Sequence, residues 1–371
     1  MTYPWTGMRG IAPVPSYVIM QPTTLCNLDC AYCYLPFRAV DRRMPVRVAA
    51  AVADSVNAWA DLVPHFSVVW HGGEPLAAGR DHLAALMAPF AGVEHHVQTN
   101  ATLVDDAWCG FLKDHGVRVG LSIDGPPDLT AQRVNRAGQP AYERIMAGVT
   151  ALRRHGVPFA ALCVVTAPRP GLATRLYDFF LELGCYALGI NVEEREGVNT
   201  RDTGYATDAV RAFWSELTAA WRTDPRIELR EIEWALRYAG AALAGTADDL
   251  LPRQHDPIPV IAHDGRVVLL SPELAGFADP RYGDFASGTV PDLPLHEIVA
   301  RVADAPAGWI AEYLSGVEAC RASCPYFGFC GGAHAANRYF EHGRFDGTQT
   351  DHCRNSKISL LEGVLDHAGG H

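Results

Sequence analysis

The sequence lacks a long hydrophobic run, a signal peptide and an excess of basic residues. No stretch of the 371 residues approaches about eighteen consecutive apolar side chains, so no segment is predicted to span a membrane. The chain begins MTYPWTGMRGIAPVP, which has neither the basic start nor the apolar stretch of a signal peptide, and a cytoplasmic protein is expected. The net charge of −11 argues against a nucleic-acid partner, because phosphate binding favours a basic surface.

The ten cysteines are unevenly distributed along the chain. Disulfide bonds are not expected, because the cytosol keeps thiols reduced. Cys109, Cys163 and Cys185 stand singly among apolar residues and are predicted to pack in the core as small hydrophobic side chains. The other seven form two groups of candidate metal ligands: Cys26, Cys30 and Cys33 near the N-terminus, and Cys320, Cys324, Cys330 and Cys353 near the C-terminus.

Short apolar runs rich in Val and Ile alternate with helical patterns in the first half of the chain, as expected for parallel strands covered on both faces. The repeated strand–helix units predict an α/β fold, a partial (β/α)6 barrel of the TIM type, in which functional residues collect at the C-terminal ends of the strands. The first cysteine group follows the first strand and is expected at that end. The predicted strands are Tyr17–Gln21, Ser67–Trp70, His95–Thr99, Arg118–Ile123, Phe159–Val165 and Leu188–Val192, and helices are predicted at Tyr142–Arg154 and Leu172–Leu183.

The second half of the chain has a different pattern. Two helices, Asp208–Trp221 and Glu228–Leu243, are followed by a hairpin of Val260–Ala262 and Val267–Leu270 around an Asp-Gly turn. The remainder is rich in loops and contains the second cysteine group, which is typical of a region ordered by metal. The predicted domains are a barrel over residues 1–195, a helical connection over 196–258 and a small metal-binding domain over 259–371.

The first cysteine group has the spacing C-x3-C-x2-C. Three thiolates on one tight loop can hold three irons of a [4Fe–4S] cube and leave the fourth iron open. An open coordination position is typical of a reactive metal centre. A zinc site completed by His71 or a distant cysteine is the alternative.

This spacing, with Tyr32 before the last cysteine, resembles the signature of the radical S-adenosylmethionine (SAM) superfamily. The segment His71-Gly72-Gly73-Glu74-Pro75 resembles the family motif that holds the methionine amino group of SAM, and Gln98-Thr99-Asn100 and Ser122-Ile123-Asp124-Gly125 resemble its SAM-contacting strand ends. The resemblance implies that a reduced [4Fe–4S] cluster cleaves SAM to a 5′-deoxyadenosyl radical. It also implies a set of SAM-binding residues: His71, Gly72, Gly73, Glu74, Asn100, Ser122 and Asp124.

The four cysteines near the C-terminus supply enough ligands to saturate one [4Fe–4S] cluster, which suits electron transfer, and zinc is the alternative. The region resembles the SPASM extension of peptide-modifying radical SAM enzymes. It departs from that pattern at His334, where another cysteine would follow Cys330, and at Leu270–Leu274, where the cysteines of an upstream cluster belong. The resemblance therefore implies a C-terminal SPASM-like iron–sulfur extension with one auxiliary [4Fe–4S] cluster.

Three further segments resemble a subgroup of maturases that act on ribosomal peptides: Ser271–Leu274, Tyr282–Phe285 and Asn337–Gly343. The best-known members join an aromatic ring carbon to the β-carbon of a nearby residue and form a cyclophane. This resemblance implies a ribosomal precursor peptide as substrate and an electron donor such as flavodoxin or ferredoxin. The alternatives are a sulfatase-type maturase, a dehydrogenase or epimerase acting on a small molecule, and a metal-binding protein without activity.

The crosslinking reaction also requires a base. Glu193 and Glu194 follow the last predicted strand and are the candidate catalytic residues by position. Adjacent residues of a strand point to opposite faces, so at most one of the two is expected to face the barrel lumen. The alternative is that both are structural.

Overall fold

The computed structural model describes residues 10–90 and 92–367, and the ends of the first and last predicted domains lie outside the described residues. The strands are β1 (Tyr17–Met20), β2 (Ser67–Trp70), β3 (Glu94–Thr99), β4 (Arg118–Ser122), β5 (Phe159–Val165), β6 (Ala187–Val192), β7 (Glu228–Leu229), β8 (Val260–Ile261), β9 (Arg266–Val268) and β10 (Gly288–Thr289). The helices are α1 (Val46–Ala60), α2 (Arg80–Met87), α3 (Asp106–Asp114), α4 (Tyr142–Arg154), α5 (Leu172–Leu183), α6 (Thr207–Thr223), α7 (Arg230–Leu243), α8 (Leu295–Asp304), α9 (Gly308–Ser323), α10 (Phe327–Cys330), α11 (Ala335–His342), α12 (Asp351–Cys353) and α13 (Ser359–Leu365).

The predicted α/β architecture is confirmed. Strands β1 to β6 lie side by side in chain order and all pair in parallel, with helices α1 to α5 in the connections. The predicted bounds of β2, β5, α4 and α5 agree with the structure. Helix α5 is followed by Gly184, whose φ of 78° is the left-handed conformation that closes a helix and that glycine adopts without a steric penalty.

The sheet continues beyond the six predicted strands on both sides. The hairpin of β8 and β9 pairs with β1, so that Val260 lies opposite Ile19, and the ten strands form one sheet in the order β10-β9-β8-β1-β2-β3-β4-β5-β6-β7. The sheet therefore crosses the predicted domain boundary at residue 259. The sequence did not predict β7, because only two residues pair with β6.

The C-terminal helix attaches the small cysteine-rich region to the helical connection. A β-carbon at Gly363 on α13 would lie 2.7 Å from the carbonyl oxygen of Arg211 on α6, so the two helices approach closely. The indole nitrogen of Trp214, also on α6, donates to the carbonyl oxygen of Asn355 at 2.9 Å. Helix α12, which ends at Cys353, is positioned by these contacts. No helix in the described part of the chain is long and apolar enough to cross a membrane.

Aromatic side chains form the core of the small region. Phe285 and Phe345 are fully buried, and their ring centroids are 5.9 Å apart, with the rings of Trp309 and Tyr339 packed around them. This packing stabilises the region beside the second cysteine group by removing large apolar surfaces from water.

Candidate active site

A cavity of about 520 Å³, here called the central cavity, lies inside the curved sheet. Each of the six strands β1 to β6 contributes at least one inward-facing side chain to its wall, which is the geometry of a partial barrel. Cys26, Cys30 and Cys33 lie on the same wall. The inward-facing strand residues are Tyr17, Ile19, Val69, Gln98, Ser122, Leu162, Val164, Asn191 and Val192.

The first three cysteines lie on a loop, residues 25–34, that backbone hydrogen bonds hold in place. The amide of Cys26 donates to the carbonyl oxygen of Arg38 at 2.9 Å, and the amide of Leu28 lies 3.5 Å from the Cys26 sulfur. Burial, together with the nearby carboxyl of Glu74, raises the pKa of the Cys26 thiol to about 12. A cation bound to the sulfur, such as iron, would be needed to keep it as a thiolate.

The second glycine of the Gly-Gly-Glu-Pro segment leaves space for the backbone at the start of this loop. Gly73 has a φ of 63°, and a β-carbon there would lie 2.6 Å from the carbonyl oxygen of Leu25 and 2.7 Å from that of Thr23. The close neighbour of Gly73 is the backbone of residues 23–25, and the contacts of Gly72 and Gly73 with SAM stay predictions. Gly72 has a similar role, because a β-carbon there would lie 3.0 Å from the side chain of Gln21.

Gly73→Ala is expected to lower the free energy of unfolding by about 2–5 kcal/mol, because it adds backbone strain and a steric overlap. It is also expected to reduce the iron bound after anaerobic reconstitution. Gly116→Ala is the matched control, since Gly116 also has a positive φ (62°) but has nothing within 4 Å of the added carbon. Urea unfolding and iron analysis check the prediction. Equal stability and equal iron in the two variants would contradict it.

Glu74 joins this segment to the end of β3. Its buried carboxylate accepts hydrogen bonds from the amide of Leu76 at 3.0 Å, the hydroxyl of Thr99 at 2.7 Å and the amide of Asn100 at 2.8 Å. His71 lies on the cavity wall, where burial lowers its pKa to about 4 and keeps the ring neutral. Both residues face the cavity, and their contacts with SAM stay predictions.

Two more predicted SAM-binding residues lie on the cavity wall. The side-chain amide of Asn100 is 3.8 Å from the Cys26 sulfur and donates to the side-chain oxygen of Asn27 at 3.0 Å. The side-chain amide of Gln98 donates to the hydroxyl of Ser122 at 2.7 Å. These contacts place polar groups beside the cysteine loop, where a polar ligand would meet them.

Asp124 lies just after β4, and its contact with SAM stays a prediction. It is 2% exposed and is not among the residues that line the central cavity. Its carboxylate accepts two hydrogen bonds from Arg133, at 2.8 and 3.0 Å, and one from the amide of Val164 at 3.0 Å. The hydroxyl of Tyr32 also donates to it. Asp124 therefore anchors the cysteine loop to β5, because its carboxylate is occupied by protein donors.

Asp124→Leu is expected to lower the free energy of unfolding by about 3–5 kcal/mol, because it leaves the guanidinium of Arg133 buried without its partner. Adding Arg133→Met is expected to restore a large part of that loss, since replacing both charges removes the unpaired ion. Denaturant unfolding of the two single variants and the double variant measures this coupling. Strictly additive losses would contradict the buried-pair account.

Glu193 and Glu194 both line the central cavity, but the Glu193 side chain is only 1% exposed and that of Glu194 is 21% exposed, and their role as bases stays a prediction. The alternation ends with the strand: β6 stops at Val192, and the next residues form a loop. Glu196 and Glu273 lie on the same wall. Neither was predicted from the sequence to be a site residue, although Glu273 belongs to the segment Ser271–Leu274.

The four carboxylates differ in their partners. Glu193 accepts from the hydroxyl of Tyr205 at 3.1 Å and lies 3.3 Å from Arg201. Burial raises the pKa of Glu194, but the charges of His352 and His334 outweigh burial, and the net shift is downward. Each of these two residues is therefore held by cationic or hydroxyl groups of the protein.

Glu273 is the carboxylate with a free atom. Its Oε2 is buried and has no hydrogen-bond partner in the described residues. Burial, together with the neighbouring Glu194 carboxylate, raises its pKa to about 8. A carboxyl group with a pKa near neutrality, on a residue that lines a cavity, is suited to accept or donate a proton.

The second cysteine group surrounds a separate, smaller cavity, which Cys320, Cys324, Cys330 and Cys353 line together. Within residues 10–90 and 92–367, no three His, Cys, Asp or Glu side chains converge as a single metal ion requires. A zinc ion draws its ligands to about 2.0–2.3 Å from one point, whereas a cube binds each thiolate through a separate iron. Four thiols around one small cavity are the ligand number that one [4Fe–4S] cluster takes.

Comparisons with known proteins agree with this site. The model of the radical SAM superfamily matches residues 20–171. The "Uncharacterized protein sll1766" of Synechocystis sp. is 31% identical over 94% of this chain and 90% of its own length. The serine-type anaerobic sulfatase-maturating enzyme of Klebsiella aerogenes is 32% identical over 53% of this chain, which aligns with 51% of that enzyme, about half its length.

A solved structure has the same fold over nearly its whole length. The sulfatase-maturating enzyme anSMEcpe with bound AdoMet and Cp18Cys peptide superposes with a TM-score of 0.72, and the alignment covers 94% of this chain and 96% of that one. At 20% identity this likeness establishes the fold alone.

Proposed function

This chain belongs to the radical SAM superfamily, and we propose that it crosslinks side chains of a ribosomal precursor peptide by oxidation. The bond formed would join an aromatic ring carbon to the β-carbon of a nearby residue. One observation carries the proposal: Cys26, Cys30, Cys33 and Glu273 line the same central cavity. A substrate side chain in this cavity would therefore share it with a radical source and a proton acceptor.

The residues present fit the implied cofactors. Cys26, Cys30 and Cys33 would hold the SAM-binding [4Fe–4S] cluster, and polar groups of Glu74, Asn100 and Ser122 beside them suit SAM. The four cysteines of the second group would hold one auxiliary [4Fe–4S] cluster. When bound, the first cluster supplies reductive cleavage of SAM to a 5′-deoxyadenosyl radical, and the auxiliary cluster supplies an electron acceptor.

The chain's own residues would then position the substrate and remove a proton. The substrate loses one hydrogen atom from its β-carbon, and the resulting carbon radical bonds to the aromatic ring. The ring then loses one electron and one proton, so that the product is lighter by two hydrogens. The carboxylate of Glu273 would take that proton, because Glu273 lines the central cavity and no protein donor in the described residues occupies its Oε2. Two bases were predicted from the sequence. Glu193 accepts a hydrogen bond from Tyr205, and Glu194 contacts both Asn337 and His352, so each carboxylate already has protein partners.

Polar contacts link the wall of the central cavity to the second cysteine group. The side-chain amide of Asn337 on α11 donates to Glu194 at 2.7 Å and to Glu196 at 2.7 Å. His352, next to Cys353, lies 3.1 Å from the Glu194 carboxylate. Polar groups of the cavity wall thus reach the elements that carry the second cysteine group. A cytoplasmic location and an electron donor such as flavodoxin or ferredoxin belong to the same proposal.

A sulfatase-type maturase is the second candidate, because the sulfatase-maturating enzyme of Klebsiella aerogenes is similar to half of this chain. Such an enzyme would oxidise one serine or cysteine side chain to an aldehyde. The two reactions differ in their products: a crosslink joins two residues, whereas an aldehyde reacts with a hydrazide.

The proposal is tested by anaerobic reconstitution followed by incubation with SAM, a reductant and the short peptides encoded beside the gene. The expected result is a peptide lighter by two hydrogens, with deoxyadenosine formed, and a fragmentation gap between an aromatic residue and its neighbour. A hydrazide-reactive product would favour the sulfatase-type alternative. Deoxyadenosine formation with every peptide unchanged would contradict a peptide substrate and favour a small molecule.

A further inference from the structure

Arg338 lies on α11 beside the second cysteine group and is 2% exposed. Its guanidinium donates to the carbonyl oxygens of Gly332 at 2.7 Å and Phe345 at 3.3 Å, and lies 3.4 Å from the Cys320 sulfur. The guanidinium also rests on the ring of Tyr313, 5.2 Å from its centroid. Within the described residues it forms no ion pair with a carboxylate, although arginine carries a permanent positive charge.

This burial needs an anionic partner. Removing a charge from water is strongly unfavourable unless an opposite charge compensates for it, and backbone carbonyls supply only dipoles. Neutral thiols supply no charge either. Four thiolates that hold an iron–sulfur cube carry net negative charge, and the cube would lie in the small cavity that Arg338 lines with the four cysteines.

The fold makes room for the guanidinium at this position. A β-carbon at Gly316 on α9 would lie 2.0 Å from Nη1 of Arg338, so glycine is the residue that the site accommodates. The preceding residue on α11, Asn337, contacts the glutamates of the central cavity. Helix α11 therefore contacts the wall of the central cavity through Asn337 and places the cation of Arg338 beside the second cysteine group.

We propose that Arg338 is the counter-charge of the auxiliary cluster and raises its reduction potential. It is a positioning residue: it contacts the ligand Cys320, and its charge stabilises the reduced cluster, which carries one more negative charge than the oxidised one. In the proposed reaction the ring of the substrate would lose one electron and one proton; the cluster would serve as acceptor for that electron, and a carboxylate would take the proton. The inference rests on the proposed auxiliary cluster and deepens it, because it explains how that cluster would favour accepting an electron.

The test uses the full chain with Cys26, Cys30 and Cys33 changed to Ala, so that only the auxiliary cluster is loaded. Arg338→Met in this background is expected to shift the midpoint potential downward by at least about 59 mV, a tenfold change for a one-electron couple. Arg338→Lys is expected to keep most of the wild-type potential. Arg344→Met is the matched control, since Arg344 is exposed in the same region and pairs with Asp346 at 3.2 Å. Redox titration monitored by electron paramagnetic resonance provides the measurement.

Stability provides a second readout. If the charge of Arg338 compensates that of the cluster, Arg338→Met stabilises the iron-free protein, because it removes a buried charge that has no partner there. The same substitution destabilises the iron-loaded protein, because it removes the partner of the cluster. A structural role through Gly332 and Phe345 would destabilise both forms. An unchanged potential in Arg338→Met with full iron overturns the inference, as does iron loss in both Arg338→Met and Arg338→Lys. Absence of iron from the parent background would instead overturn the proposed auxiliary cluster, and the inference with it.

Discussion

Cys26→Ala is expected to reduce deoxyadenosine formation by more than roughly a thousandfold, because enzymes that rely on such a centre accelerate their reactions by about 10⁶-fold or more. Cys26 is one of three cysteines on the cavity wall, and its sulfur accepts contacts from Leu28 and Asn100. Removing it leaves two thiolates for a cube that needs three. Deoxyadenosine is measured by chromatography after incubation with SAM and dithionite.

Cys185→Ala is the matched control for this experiment. Cys185 is also buried, but it packs in the hydrophobic core after α5, away from the central cavity. The control is expected to retain full iron and full deoxyadenosine formation. Equal activity of Cys26→Ala and Cys185→Ala would show that the first cysteine group is not the radical source.

Glu273→Gln is expected to slow crosslinking by about 10²–10⁴-fold while deoxyadenosine still forms, because proton removal by a positioned base contributes about that factor. Burial raises the pKa of Glu273 to about 8, so the carboxyl is protonated below that pH and can accept a proton above it. The rate of crosslinking in the wild type is therefore expected to rise with pH up to about 8. That dependence should disappear in Glu273→Gln.

The control for this prediction is Glu143→Gln, on the exposed side of α4. It is expected to leave both products unchanged. Product ratios are measured at several pH values by mass spectrometry, with deoxyadenosine as the internal measure of radical formation. If Glu273→Gln crosslinks as fast as Glu143→Gln, another group removes the proton, and Glu193 becomes the next residue to replace.

The sequence predicted the barrel well because its signals are local. Helix α4 ends before Gly156 and α5 ends before Gly184, and both glycines have positive φ. Strands β2 and β5 are uniform apolar runs, which identify buried parallel strands without reference to the rest of the chain. The C-x3-C-x2-C spacing lies within one short loop, so the position of Cys26 after β1 could be predicted from the sequence.

The remaining features depend on contacts that local patterns do not encode. Val260 pairs with Ile19, although most of the chain separates the two residues in sequence. Neither segment alone indicates this pairing, because it depends on how the whole sheet is assembled. The place of Glu273 could not be read from its short segment, because it depends on where that sheet edge lies. The ion pair of Asp124 with Arg133 could not be predicted either. A carboxylate at a strand end can bind a ligand or a neighbouring arginine, and the sequence alone does not distinguish these two roles.

Deuterium transfer tests the central claim most directly. The wild-type enzyme would be incubated with SAM, a reductant and its peptide substrate, prepared with deuterium on the β-carbon that becomes crosslinked. Mass spectrometry of the deoxyadenosine then reports whether the radical takes its hydrogen from that carbon. The account predicts deoxyadenosine that contains one deuterium for each crosslinked peptide. Crosslinked peptide accompanied by deuterium-free deoxyadenosine would contradict the account.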